Sequence, residues 1–85
     1  MEKNFKSMSI NEEPYKFTGI FTKSGSELVI SFDSKSYANE IGSLLNKRVM
    51  IDNIAFFGED ETAIHYAGKF IIKSIRNKEA LLMKF

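Results

Sequence analysis

The chain contains no cysteine and no tryptophan, and one proline and one histidine among its 85 residues. Without thiols it has no disulfide, no thiolate zinc site, no iron–sulfur cluster and no cysteine nucleophile, an absence that suits a reducing compartment. Charge of one sign is lacking too. Twelve Lys and Arg against eleven Asp and Glu leave a formal net charge of +1, so no overall field draws the protein to nucleic acid or to a membrane. The longest apolar runs, Ile54–Phe57 and Ala80–Met83, hold four residues each. A bilayer-spanning helix needs ~20. The N-terminal stretch from Met1 to Ile10 has charge but no apolar segment of a secretory signal. A cytoplasmic protein with no membrane partner is the expectation.

What the chain does hold is 44% hydrophobic and 13% aromatic residues, enough to fold around one small core. Tyr15, Phe17, Gly19 and Phe21 alternate with Lys16, Thr18, Ile20 and Thr22, the period of a half-buried strand. Leu28, Ile30 and Phe32 repeat that period after Lys23-Ser24-Gly25-Ser26, which predicts a hairpin with Gly25 at positive φ. From Asp33 the period lengthens. Tyr37, Ile41, Leu44 and Leu45 form one helical stripe, with Asp33, Ser34 or Ser36 as cap and Gly42 where the helix packs too closely for a side chain. Strand composition returns over Val49–Phe57 and Thr62–Ile75, the latter long enough to need a bulge or bend at Gly68. Asn77-Lys78 makes a turn, and Ala80–Phe85 closes the chain.

The pattern predicts an α+β fold: a strongly bent antiparallel sheet or small barrel of about five strands with one helix, in the order ββαβββ. Residues 1–14 read as an N-terminal arm with room for one edge strand, and residues 15–85 as a single domain.

Little chemistry is encoded. There is no G-x-S-x-G, no Walker A and no G-x-G-x-x-G pattern, and His65 has no second histidine or near carboxylate to make it a base or a ligand. Glu59-Asp60-Glu61 lacks the alternating oxygen spacing of a calcium loop and reads as a solvated hairpin tip. The expectation is a non-enzyme with no catalytic residue, no metal and no cofactor.

Charge is nevertheless divided. Residues 51–67 hold Asp52, Glu59, Asp60 and Glu61 and no Lys or Arg, whereas residues 68–85 hold Lys69, Lys73, Arg76, Lys78 and Lys84 against Glu79. Lys69 and Lys73 share a strand face, Arg76 and Lys78 stand at the next turn, and Lys47-Arg48 can join them from the helix end. Such a patch suits phosphates or an acidic protein surface. Lysines spaced this way also guard an exposed strand against edge-to-edge pairing. Eight Phe and three Tyr exceed what the centre of so small a core takes. That surplus puts Phe5, Tyr66, Phe70 and Phe85 forward as an interface, with His65 beside them as a recognition residue.

Eighty-five residues from Met1, Lys-, Asn-, Ile- and Phe-rich usage, no cysteine and no enzymatic motif together resemble the short accessory proteins of tailed phages. Those proteins bind and disable or redirect a host factor. The resemblance implies a complete small protein in the host cytoplasm, acting as a stoichiometric inhibitor or adaptor of a host protein such as a defence nuclease or toxin, with RNA as a co-ligand. Two further readings come from the residues themselves. One is a small RNA- or single-stranded-DNA-binding module working through Lys47, Arg48, Lys69, Lys73, Arg76 and Lys78. The other is a virion structural or assembly subunit, a homo-oligomer joined through a strand edge.

Overall fold

The computed structural model describes residues 2–46, 50–59 and 63–84, and the backbone alone of Leu44, Leu45 and Asn46. Its elements are β1 (Lys3–Phe5), β2 (Ser7–Ile10), β3 (Glu13–Tyr15), β4 (Gly19–Ser24), β5 (Glu27–Phe32), α1 (Lys35–Asn46), β6 (Ile51–Phe57), β7 (Ala63–Arg76) and β8 (Glu79–Lys84). All eight strands join one sheet in the order β1-β4-β5-β8-β7-β6-β2-β3, and every pairing is antiparallel. The expected ββαβββ order with about five strands is therefore corrected to five strands, the helix, then three strands, on a chain that is mostly β.

The difference lies in residues 3–15, which form three strands where an arm was expected. Asn11 and Glu12 take φ of 52° and 70° and turn the chain tightly, so that Ile10 pairs with Glu13. Phe5 and Met8 are both buried although they stand three apart, an odd spacing for a strand. Lys6 is the extra residue. Its N–H bonds Phe57 O at 2.8 Å while Ser7 pairs with that same Phe57, a bulge that shifts the inward face by one position.

β1 and β2 are thus two halves of one extended segment that serves both sides of the sheet. Lys3–Phe5 pairs with β4, and Ser7–Ile10 pairs with β6, so the sheet must curl around the core. Gly19 permits the tight approach of β4 to β5. A Cβ there would meet the Ser31 carbonyl oxygen and stand 2.9 Å from Phe32 Cα.

Aromatic rings fill the curl. Phe5 packs against Phe21, Phe32 and Phe56 at centroid distances of 6.0, 6.2 and 5.1 Å, and Phe21 stacks on Phe56 at 3.9 Å. α1 packs on this core with Ala38 and Ile41 buried and the Tyr37 ring 5.0 Å from Phe17. Its N-terminus is held by Ser34, whose Oγ accepts the Ser36 N–H at 3.2 Å. A Cβ at Gly42 would meet only Ile75 Cδ1, at 3.4 Å, an ordinary contact with the end of a flexible side chain, so the helix does not pack too closely there for a β-carbon, contrary to the expectation from sequence.

β7 changes partner midway. Ala63–Phe70 runs against β6 and Phe70–Arg76 against β8, with Gly68 at φ 113° beside a register shift opposite Ile51 and Asn53. A second shift, between Ile72 and Ser74, leaves Lys73 as the extra residue and turns both Ile72 and Ile75 inward.

Candidate functional site

The register of β4, β5, β8 and β7 fixes what the outer face of the sheet carries. Leu28, Ile30, Ala80, Leu82, Phe70 and Ile72 point inward and are buried, so their neighbours along each strand point out. One row across the outer face reads Glu27, Met83, Ile71. The next reads Thr22, Val29, Leu81, Ser74, and the third Ile20, Ser31, Glu79, Arg76. Val29, Leu81, Met83 and Ile71 therefore touch or neighbour one another on a surface where solvated sheets are ordinarily polar. Ile71 is 36% exposed and the other three are half-buried. No described element lies over them.

Cations line one flank of this patch. Lys69 stands two residues before Ile71 on the same strand face, Lys73 occupies the bulge, and Arg76 and Lys78 follow at the hairpin end; all four are exposed. None forms an ion pair among the described residues, where the one salt bridge joins Lys6 to Glu59 at 3.1 Å. The opposite flank, on β5, carries the exposed carboxylate of Glu27.

The other residues singled out by sequence fall elsewhere. Lys47, Arg48 and Phe85 lie outside the described residues. Phe5 and Phe70, expected at a surface, are 1% and 0% exposed. The Lys6 bulge turns Phe5 into the core, and Phe70 sits where β7 passes from Ile51 to Lys84, covered on both sides. Tyr66 is half-buried, edge-on to Phe21 and Phe56 at 6.3 Å, with Lys23 Nζ 5.7 Å above its ring. Burial raises its phenol above the ordinary value of 10.0. His65 faces outward, exposed, with its ring edge-on to Phe57 at 6.3 Å. The structure thus brings Lys69, Lys73, Arg76 and Lys78 to one flank and disperses the aromatic set.

Sequence reasoning missed the apolar patch itself, although a signal was present. Leu28-Val29-Ile30, Phe70-Ile71-Ile72 and Ala80–Met83 are unbroken apolar runs on strands, and such a run must place apolar side chains on both faces.

A concavity of about 690 Å³ opens beside β1, lined by Lys3, Asn4, Phe5, Lys6, Glu59 and Ile64 among others. The Lys6–Glu59 pair stands among those lining residues. Among the described residues no three His, Asp or Glu side chains are grouped to hold a metal ion, and no described helix is long and apolar enough to cross a membrane. No protein-family model, no curated protein and no solved structure matches the chain.

Proposed function

We propose that the protein acts by binding another protein, as a non-enzymatic inhibitor or adaptor of the kind that short accessory phage proteins represent. The contact is made by the outer face of β5, β8 and β7. The observation that carries this reading is the contiguous outward set Val29, Leu81, Met83 and Ile71, on a sheet whose interior is already filled by other residues. Apolar surface of this kind supplies affinity when covered, at roughly 25 cal/mol per Å² before the costs of association. Lys69, Lys73, Arg76 and Lys78 along one flank, which form no ion pair among the described residues, favour a partner whose own apolar contact is bordered by acidic side chains, and they accelerate its approach. A host protein such as a nuclease or toxin fits this description.

Nucleic acid is the competing occupant of the same cations. It is less favoured because Phe70, the ring nearest to them in sequence, is enclosed and offers no face to a base.

Capture from host lysate, with and without nuclease treatment, tests the reading. One protein held in stoichiometric amount after nuclease treatment is expected, lost from Ile71→Asp and weakened in Lys69→Glu/Lys73→Glu. Loss of all bound protein on nuclease treatment overturns the proposal, as does full capture by Ile71→Asp that retains the wild-type circular dichroism spectrum.

A further inference from the structure

We infer that in the free protein this same face is covered by a second copy of the chain, so that partner binding exchanges one occupant for another. The inference rests on reading the β5–β8–β7 outer face as a contact surface, and adds how that surface is regulated.

The charges on the row through Glu27, Met83 and Ile71 are arranged to complement themselves. β8 lies in the middle, with Leu81 and Met83 outward, while β7 and β5 flank it on either side. Cations stand on the β7 flank, at Lys69 and Lys73, and a carboxylate stands on the β5 flank, at Glu27. A two-fold axis lying in the interface along β8 carries β7 of one copy over β5 of the other. The row that holds Glu27 also holds Ile71, which has Lys69 two residues before it and Lys73 two after. The axis therefore sets Glu27 between the second copy's Lys69 and Lys73, and does so twice by symmetry. Between the two charged flanks, Leu81 and Met83 meet their counterparts on the axis, and Val29 lies over the second copy's Ser74.

The area is modest. Three strands spaced ~4.8 Å apart, each showing a few residues, cover on the order of 1,000 Å² in total, at the low end for a specific interface. Area alone does not fix affinity; a weak dimer, with a dissociation constant on the order of 10–100 µM, is the expectation because the face must also be free to exchange its occupant. That is tight enough to shield the patch at high concentration and loose enough to be displaced. Salt weakens it, because the flanking pairs are solvent-exposed.

Sedimentation equilibrium on the full chain over roughly 1–200 µM, a range set by that affinity, tests the inference. Wild type is expected to shift from monomer to dimer, whereas Ile71→Asp stays monomeric. Glu27→Lys alone places like charges at both flanks and is expected to raise the dissociation constant at least tenfold, as is Lys69→Glu/Lys73→Glu alone. An equimolar mixture of these two variants sets the introduced ammonium of the first against the two introduced carboxylates of the second, and native Glu27 against native Lys69 and Lys73. Dimer is therefore expected to return as the mixed species. Wild type that remains monomeric to about 200 µM, or a mixture in which no heterodimer forms, overturns the inference. Lysate capture separates this outcome from the function itself. A monomeric wild type that still captures its host protein refutes the dimer alone, and a dimer that captures none refutes the partner reading alone.

Discussion

The side-chain oxygen of Asn11 accepts the backbone N–H of Asp52 at 2.7 Å, joining residues 41 positions apart in the chain. The same side chain donates from Nδ2 to Met50 O at 3.0 Å, and the Asn11 N–H donates to Asn53 O at 3.0 Å. A turn tip is thereby fastened to the entry of β6. Asparagine meets both demands of the position, since it tolerates a φ of 52° and offers an acceptor and a donor on one short side chain.

Asn11→Ala is expected to destabilise the fold by about 1–3 kcal/mol, the usual cost of losing paired hydrogen bonds together with an awkward φ. Asn11→Gly isolates the side chain, because glycine keeps the turn and loses only the three side-chain hydrogen bonds, to Met50 O and from the Asp52 and Asn53 N–H groups. Urea unfolding of both variants checks the order, with Gly falling between wild type and Ala.

Gly19→Ala is expected to cost about 3 kcal/mol or more, since the added methyl meets the backbone of Ser31 and Phe32 and no side chain can move aside. Gly25 provides the contrast. Its φ is 58° but nothing lies within 4 Å of an added Cβ, so Gly25→Ala costs about 1 kcal/mol. Thermal melts of the two variants side by side decide the ranking.

Phe21 and Phe56, stacked with an interplanar angle of 9°, stand at the centre of the ring cluster. Either residue changed to Ala is expected to lose about 3–5 kcal/mol. A double-mutant cycle with Leu at both positions is expected to show a coupling of about 0.5–1.5 kcal/mol beyond the lost area.

Stability is expected to decline in alkali. Tyr66 is raised by burial, and Tyr15 by burial, then by the charge of Glu13, their hydrogen bond at 3.5 Å and the charge of Glu40. Both phenols therefore hold their protons in the fold more firmly than in the unfolded chain. Their contribution is complete below pH 10.0 and is lost as the pH climbs through the raised folded values. Urea midpoints at about pH 9 and about pH 11 check the direction, and the combined Tyr15→Phe/Tyr66→Phe variant is expected to show a smaller drop.

Local spacing made part of the fold readable in advance, although the strand read from Tyr15 begins only at Gly19, Tyr15 belonging to β3. The Gly25 hairpin, the helix stripe through Tyr37 and Ile41, and the Asn77-Lys78 turn, with Asn77 at φ 57°, stand where residue spacing places them. Phase slips hid the rest. Phe5 and Met8, Ile51 and Ile54, and Ile72 and Ile75 each face inward at a spacing of three, because an irregularity lies between the members of each pair. An N-terminal segment of ten residues with such a slip shows no regular period and reads as an arm. The aromatic residues were misplaced for a related reason. A curled eight-stranded sheet encloses more volume than one of five strands, so Phe5 and Phe70 find room inside. The cations Lys69, Lys73, Arg76 and Lys78 are exposed side chains in one C-terminal stretch, so sequence alone set them near one another.

The double pairing of Lys3–Ile10 has a further consequence for how the chain acquires its shape. Its bonds to β4 are short-range and can form while the polypeptide is still being synthesised. Its bonds to β6 form later, because Ile54–Phe57 is synthesised about thirty residues after β4. Throughout that interval Ser7–Ile10 presents an open edge to chaperones and to neighbouring nascent chains. Closure of that ladder, together with the still longer-range pairing of β5 with β8, is expected to come late in folding and to set how long these edges stay open to aggregation.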